Sequence, residues 1–213
     1  MAVMPMFPLG MVLLPGGVLP LHVFEPRYRQ MIIDILQRDD TPEFGQVLIT
    51  HGSEAGGGDE RSMIGTVAQM VQCEALDESR YAMVTVGTRR IRVNTWLPDD
   101  PYPMADVDDW PDADPDGVDG VDGVDLADAV AATHARVRSA LAKAAELGDL
   151  DAAPTDAEIS DDPLVATYHL ASLAPIGPLD RHRLLAAPGP SERLATLDAV
   201  LDDVEAMLDF RLS

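Results

Sequence analysis

The sequence predicts an α+β protein: a β-rich N-terminal region carrying one inserted helix, then an acidic linker, then a C-terminal α-helical bundle. Three observations lead there. Short apolar, β-prone runs separated by turn residues fill most of the first 107 residues. Residues 98–125 hold 11 aspartates and no basic residue, ending in a repeat of Asp-Gly-Val. Beyond residue 125 the apolar spacing changes to that of helices. The expected boundaries are 1–111, 112–125 and 126–213.

At 213 residues, with 46% hydrophobic side chains, the chain is long enough to fold without a disulfide or structural metal. Cys73 is the only cysteine, which excludes an internal disulfide framework and a Cys-based zinc site. A reducing cytoplasm suits that usage. The first 24 residues are uncharged, but Pro5, Pro8, Pro15 and Pro20 interrupt them and no basic start precedes them. They therefore read as buried strands rather than an export signal. No apolar run approaches the roughly 18 residues that a membrane span requires.

The first element with a firm pattern is a helix opened by Pro26, whose fixed φ suits a first turn. Tyr28, Met31, Ile32, Ile35 and Leu36 form its apolar stripe, with Arg29, Gln30, Asp34 and Gln37 off it. Just before it, Val18 to Phe24 reads as a strand. His22 and Glu25 are placed to share a hydrogen bond where the helix begins. Further strands are expected at Gly45–Thr50, Met63–Glu74, Tyr81–Val93 and Tyr102–Val107. Asp77-Glu78-Ser79 is the expected hairpin turn. Gly87, in mid-strand, predicts a bulge or sharp bend, as in a closed or strongly coiled sheet.

The Asp-Gly-Val repeat from Asp116 to Val124 has a period of three, which matches neither an EF-hand loop nor a nine-residue calcium repeat. Its composition predicts a solvated linker. After it, Val130, Val137, Leu141 and Ala144 mark one face of a helix over Leu126–Leu147, with Gly148 as its stop. Ser160-Asp161-Asp162-Pro163 supplies a cap for a helix ending at Leu173. Pro178 opens a short one over Leu179–Ala186. Ser191 is the expected cap of a last, long helix with Leu194, Leu197, Leu201, Val204 and Leu208 on one face. Short connections between such helices make a bundle.

The missing chemistry narrows the function. Gly56-Gly57-Gly58 is followed by Asp59-Glu60 rather than Lys-Ser/Thr, so there is no P-loop to hold a nucleotide phosphate. The one lysine, Lys143, lies in an Ala-rich helix four residues after Ser139, where no oxyanion hole would form. No Gly-x-Ser-x-Gly elbow occurs, and the five histidines have no metal-binding spacing. The expectation is a protein that is no enzyme and needs no cofactor or metal. A net charge of −22 also disfavours nucleic acid, which is bound by neutralising phosphates. Arg89, Arg90 and Arg92 form the one basic cluster, expected as a solvated strand face paired with acids.

Four segments in order then carry a resemblance. Phe7-Pro8-Leu9 and Leu13-Leu14-Pro15-Gly16 lead into Leu19-Pro20-Leu21-His22-Val23-Phe24-Glu25-Pro26-Arg27-Tyr28-Arg29. Ile64-Gly65-Thr66-Val67-Ala68 follows, then Val84-Thr85-Val86-Gly87 with Arg89-Arg90-Ile91-Arg92-Val93. Asp162-Pro163 through Pro190-Ser191-Glu192-Arg193-Leu194 closes the series. Together they resemble LON substrate-binding domains, the N-terminal part of Lon proteases, here without ATPase or protease machinery. The resemblance implies a PUA-like β pseudo-barrel followed by a helical subdomain. It also implies a non-catalytic module that recognises protein or peptide, such as an adaptor in proteolysis or quality control.

The partner implied is an unfolded or tagged polypeptide or another protein, with no membrane. As a contact surface the segment Phe24 to Arg29 is the candidate, with Phe24, Arg27, Tyr28 and Arg29 as its residues. The other reading of the same residues makes Phe24 and Tyr28 core and pairs Arg27 or Arg29 with Glu25. Two alternatives to polypeptide recognition stay open: RNA binding through the PUA-like sheet, and a small ligand held between the two halves.

Overall fold

The structure is a computed structural model, and it describes residues 2–52, 58–77, 79–113, 126–148 and 153–213. The Asp-Gly-Val repeat of Asp116 to Val124, and Glu78 of the expected hairpin turn, lie outside those residues. The chain divides into two compact units, Met1–Pro111 and Asp112–Ser213.

The first unit runs β1 (Ala2–Leu9), β2 (Val18–Val23), α1 (Pro26–Leu36), β3 (Glu43–His51), β4 (Glu60–Ala75), β5 (Tyr81–Trp96) and β6 (Met104–Asp109). The strand order is β2-β5-β4-β3-β1-β6, and β5 also pairs with β6. That last pairing closes β1, β3, β4, β5 and β6 into a ring, with β2 left as an edge strand. The length of β5 makes both partnerships possible. Its residues Tyr81–Val86 pair with β2, and Ile91–Trp96 pair with β6. Among the described strands only β1 and β3 run parallel. Pro20 lies on the edge strand, the place in a sheet where a missing N–H is tolerated.

The continuous apolar run of β1 has a simple cause, since both of its faces are buried. Met4 and Met6 join Val47, Val67, Ile91, Val93, Ala105 and Val107 in one cluster. Phe7 and Leu9 point the other way and pack with Tyr28, Met31, Ile32 and Ile35 of α1. The expected helix stripe is thus buried except for Leu36, which is exposed at the last turn.

At Gly87 the β4–β5 register shifts: Ala68 faces Gly87 while Thr66 faces Arg90, so β5 carries an extra residue there. The glycine is required by a close approach. Gly16 N–H donates to the Gly87 carbonyl at 2.8 Å, and Gly87 N–H donates to the Gly17 carbonyl at 2.9 Å. A Cβ on Gly87 would strike the carbonyl oxygen of Leu14. Buried Gln46 holds the same loop, accepting from Leu13 N–H at 2.9 Å and donating to the Met11 carbonyl at 2.7 Å.

The second unit comprises α2 (Leu126–Glu146), α3 (Pro163–Leu173), α4 (Pro178–Leu185) and α5 (Pro190–Leu212). Gly148 follows α2 with φ of +80°, a left-handed conformation that glycine adopts at little cost. The Asp162 carboxylate caps α3 by accepting from Leu164 N–H at 3.0 Å. Arg181 serves the other end of α3, donating to the carbonyls of Ala171 and Ala174, both at 3.3 Å. Helix α5 corrects the expected cap. Gly189 is its N-cap and Pro190 occupies the first helical position, so Ser191 lies inside the first turn. Proline, with φ preset and no N–H to satisfy, fixes the start there. Arg136 of α2 reaches Asp198, Asp202 and Glu205 of α5 at 2.6–3.1 Å, and Lys143 reaches Asp209 at 2.5 Å.

Candidate functional site

The candidate segment begins where β2 ends. Strand alternation turns Val23 into the core and Phe24 outward, leaving Phe24 65% exposed. Glu25 stays extended as the N-cap, and Pro26 starts α1. The chain then turns inward again at Tyr28, which is 3% exposed and stacks on Phe7 with ring centroids 4.0 Å apart. Burial, offset in part by the neighbouring Arg27, pushes the Tyr28 hydroxyl up to about 12. Arg27 lies over the Tyr28 ring at 4.5 Å and donates to Glu25 at 3.1 Å. Glu25 is therefore engaged by Arg27, where a bond to His22 was expected. Arg29 is half-buried on the first turn.

Of the four residues expected at the surface, Phe24 alone presents a large apolar face. Its companions come from segments whose sequence gave little warning. Leu76, isolated in a polar turn, is 52% exposed and lines a cavity of about 320 Å³ with His22, Val23, Phe24 and Arg80. A smaller hollow of about 130 Å³ also borders Phe24 and is lined by Met11, Leu21 and Tyr28 among others. A third, of about 210 Å³, continues over the outer face of β2, β5 and β4, from Pro20 and His22 to Gln72 and Glu74. His22 borders all three. The hollows share His22, and two of them share Phe24, so they adjoin on one largely apolar surface over β2 and its neighbours.

A larger cavity, about 780 Å³, lies elsewhere in this unit and has a different character. Arg38, Asp40, Glu43, Arg89, Asp108 and Asp109 are among its lining residues. There Arg89 donates to both Glu43 oxygens, at 2.7 and 3.0 Å, and to Asp109 at 2.8 Å. Arg89, Glu43 and Asp109 thus already answer one another, so size alone does not make it the better binding surface.

The arginine cluster of β5 separates by position. Arg89 is solvated and paired with acids. Arg90 corrects the expectation of a wholly solvated face: it is 3% exposed, with its guanidinium 4.2 Å from the centre of the Trp110 ring. The extra residue at Gly87 changes the alternation and carries Arg90 inward. Arg92 stays exposed and also lies over Trp110, at 4.8 Å. Cys73 is half-buried and burial raises its pKa, away from a reactive thiolate. Among the described residues no three His, Cys, Asp or Glu side chains are grouped to hold a metal ion. Among them too, no helix is long and apolar enough to cross a membrane.

The sequence model of one family, described as the ATP-dependent protease La (LON) substrate-binding domain, matches residues 3–202. The chain belongs to this family. Solved structures agree with this LON domain over nearly its whole length. A Lon N-terminal domain protein from Xanthomonas campestris is 25% identical, with a TM-score of 0.64 over 93% of this chain and 98% of that one. The N-terminal domain of a Lon protease from the Mycobacterium avium complex shares the fold at 17% identity. Its TM-score is 0.63, over 95% of this chain and 99% of that one. Comparison with curated proteins gives no match. The β sheet with one helix and the C-terminal helical part of this LON domain agree with the α+β fold its sequence predicted.

Proposed function

We propose that this LON domain recognises polypeptide segments through the apolar surface centred on Phe24, and acts as an adaptor in proteolysis or quality control. One observation carries the reading. A phenylalanine, 65% exposed, lines two hollows that an incoming apolar side chain can fill. Large contiguous apolar surface commonly marks a site of association. Family membership supports the class of ligand, because the family is described by substrate binding. The exposed methionine Met11, at the rim of one hollow, adds an adaptable contact for segments of varied sequence.

The test is binding of an unfolded, fluorescently labelled polypeptide to the full chain and to its Phe24→Ser and Leu76→Ser variants. Burying an aromatic side chain is worth about 1.5–3 kcal/mol, so Phe24→Ser should weaken binding roughly tenfold or more. Binding should persist in 0.5 M salt, because apolar burial is not screened. Unchanged affinity in both variants would remove this surface from consideration.

A further inference from the structure

We infer that the Phe24 surface selects segments in which a lysine or arginine stands two residues from a large apolar residue, with Glu74 holding the cation. The inference rests on the polypeptide-binding reading and concerns the same surface. Its basis is the register of three strands. Val84 faces Pro20 on one side and Gln72 on the other; Ala82 likewise lies between His22 and Glu74. The next outward positions in this alternation are Phe24, Arg80 and Leu76, and there Leu76 N–H donates to the Arg80 carbonyl at 2.9 Å. The Phe24–Leu76 hollow and the Glu74 carboxylate therefore sit one alternation apart. That step is about 6.8 Å, the distance from residue i to i+2 in any extended peptide.

The charges around this surface are unequal in a telling way. Both rim arginines are already neutralised, Arg80 by Asp77 at 2.7 Å and Arg27 by Glu25 at 3.1 Å. Glu74 is exposed and accepts only from the neutral Gln72 amide, at 3.0 Å. No cation meets it among the described residues. An incoming cation gains a partner there without breaking an existing pair, whereas an incoming carboxylate must compete with Asp77 or Glu25 for an arginine. The chain's net charge of −22 acts in the same direction on any approaching segment.

Two labelled 11-residue peptides of identical composition separate the local contact from overall charge. One carries a central leucine with lysines two positions to either side. The other carries the same lysines at its ends and serines in their place. Fluorescence anisotropy with the full chain should give the first a Kd about fivefold lower in dilute buffer, a gap closing in 0.5 M salt. Glu74→Gln should abolish the preference, and Asp203→Asn, the same charge change in the other unit, should preserve it. Equal affinities in the unmodified chain, or a preference surviving Glu74→Gln, would overturn the inference while leaving the apolar surface standing. Binding that ignores Phe24→Ser, or no binding of either peptide, would overturn the surface reading and this one with it.

Discussion

The guanidinium of Arg193 donates to the Asp112 carboxylate at 2.5 Å while wholly buried beneath the start of α5. It also donates to Thr167 Oγ1 at 2.8 Å, the Tyr168 hydroxyl at 2.7 Å and the Leu184 carbonyl at 3.4 Å, and its central carbon lies 3.6 Å from the Tyr168 ring centre. Tyr168 in turn donates to Asp112 at 3.0 Å. Asp112, which reads in sequence as the first residue of an acidic linker, is thus the counter-ion of a buried cation. Nearby, Ala113 N–H donates to the Pro188 carbonyl at 2.8 Å.

Removing one partner of such a pair leaves a charge buried without compensation. Asp112→Ala should therefore cost the helical unit about 3–5 kcal/mol, and the double variant Asp112→Ala/Arg193→Met considerably less, because it removes both charges. Urea unfolding followed by far-ultraviolet circular dichroism measures both. The distinction extends to deletions. Excising 114–124 should shift Tm by no more than a few degrees, whereas excising 112–124 should lower it as Asp112→Ala does. A deletion from 112 that melts like the intact chain would show the ion pair to be dispensable.

Gly87→Ala should destabilise the β-rich unit by about 2–3 kcal/mol, toward the upper end of ordinary single substitutions. The added methyl meets the Leu14 carbonyl and must push apart the two backbone hydrogen bonds joining Gly87 to Gly16 and Gly17. Equilibrium urea unfolding read by tryptophan fluorescence checks this. A variant as stable as the parent would show that the loop can retreat.

Tyr28 predicts a response to alkaline pH. Its hydroxyl has an ordinary pKa of 10.0 and is raised to about 12 by burial in the fold. The unfolded chain therefore loses this proton first as pH rises. The stability linked to Tyr28 is fully present below pH 10 and falls away between about 10 and 12. Tyr28→Phe, which keeps the stack on Phe7 and has no proton to lose, should flatten the decline in a series of melts across that range. Identical slopes in the two proteins would assign the alkaline loss to other groups.

RNA binding should be negligible at physiological salt. Arg89 is committed to Glu43 and Asp109, and Arg90 is buried against Trp110. Phosphate contacts need cations that remain available, and a chain of charge −22 has few. Arg92→Glu is the informative variant, since a charge reversal at buried Arg90 would disturb the fold itself. Salt-sensitive RNA binding lost in Arg92→Glu would favour the RNA reading.

By itself the sequence determined the order of elements, because period and punctuation are local properties. Pro26 with the stripe of Tyr28 to Ile35, Gly148 after α2, and the glycine in mid-strand each act through the backbone within a few residues. Those signals reached the helix starts to within two residues, as the expected cap Ser191 and the observed cap Gly189 show. Contacts between distant segments were decided only by tertiary structure. Periodicity marks which residues share a face, and it does not say what that face meets. So the meeting of Gly16 and Gly17 with Gly87, the burial of Arg90 and the service of Asp112 to Arg193 were not legible. The candidate site divides along the same line. Phe24 was visible beside a helix start, whereas Leu76 and Glu74 joined it only when β5 brought β2 and β4 to either side of Ala82.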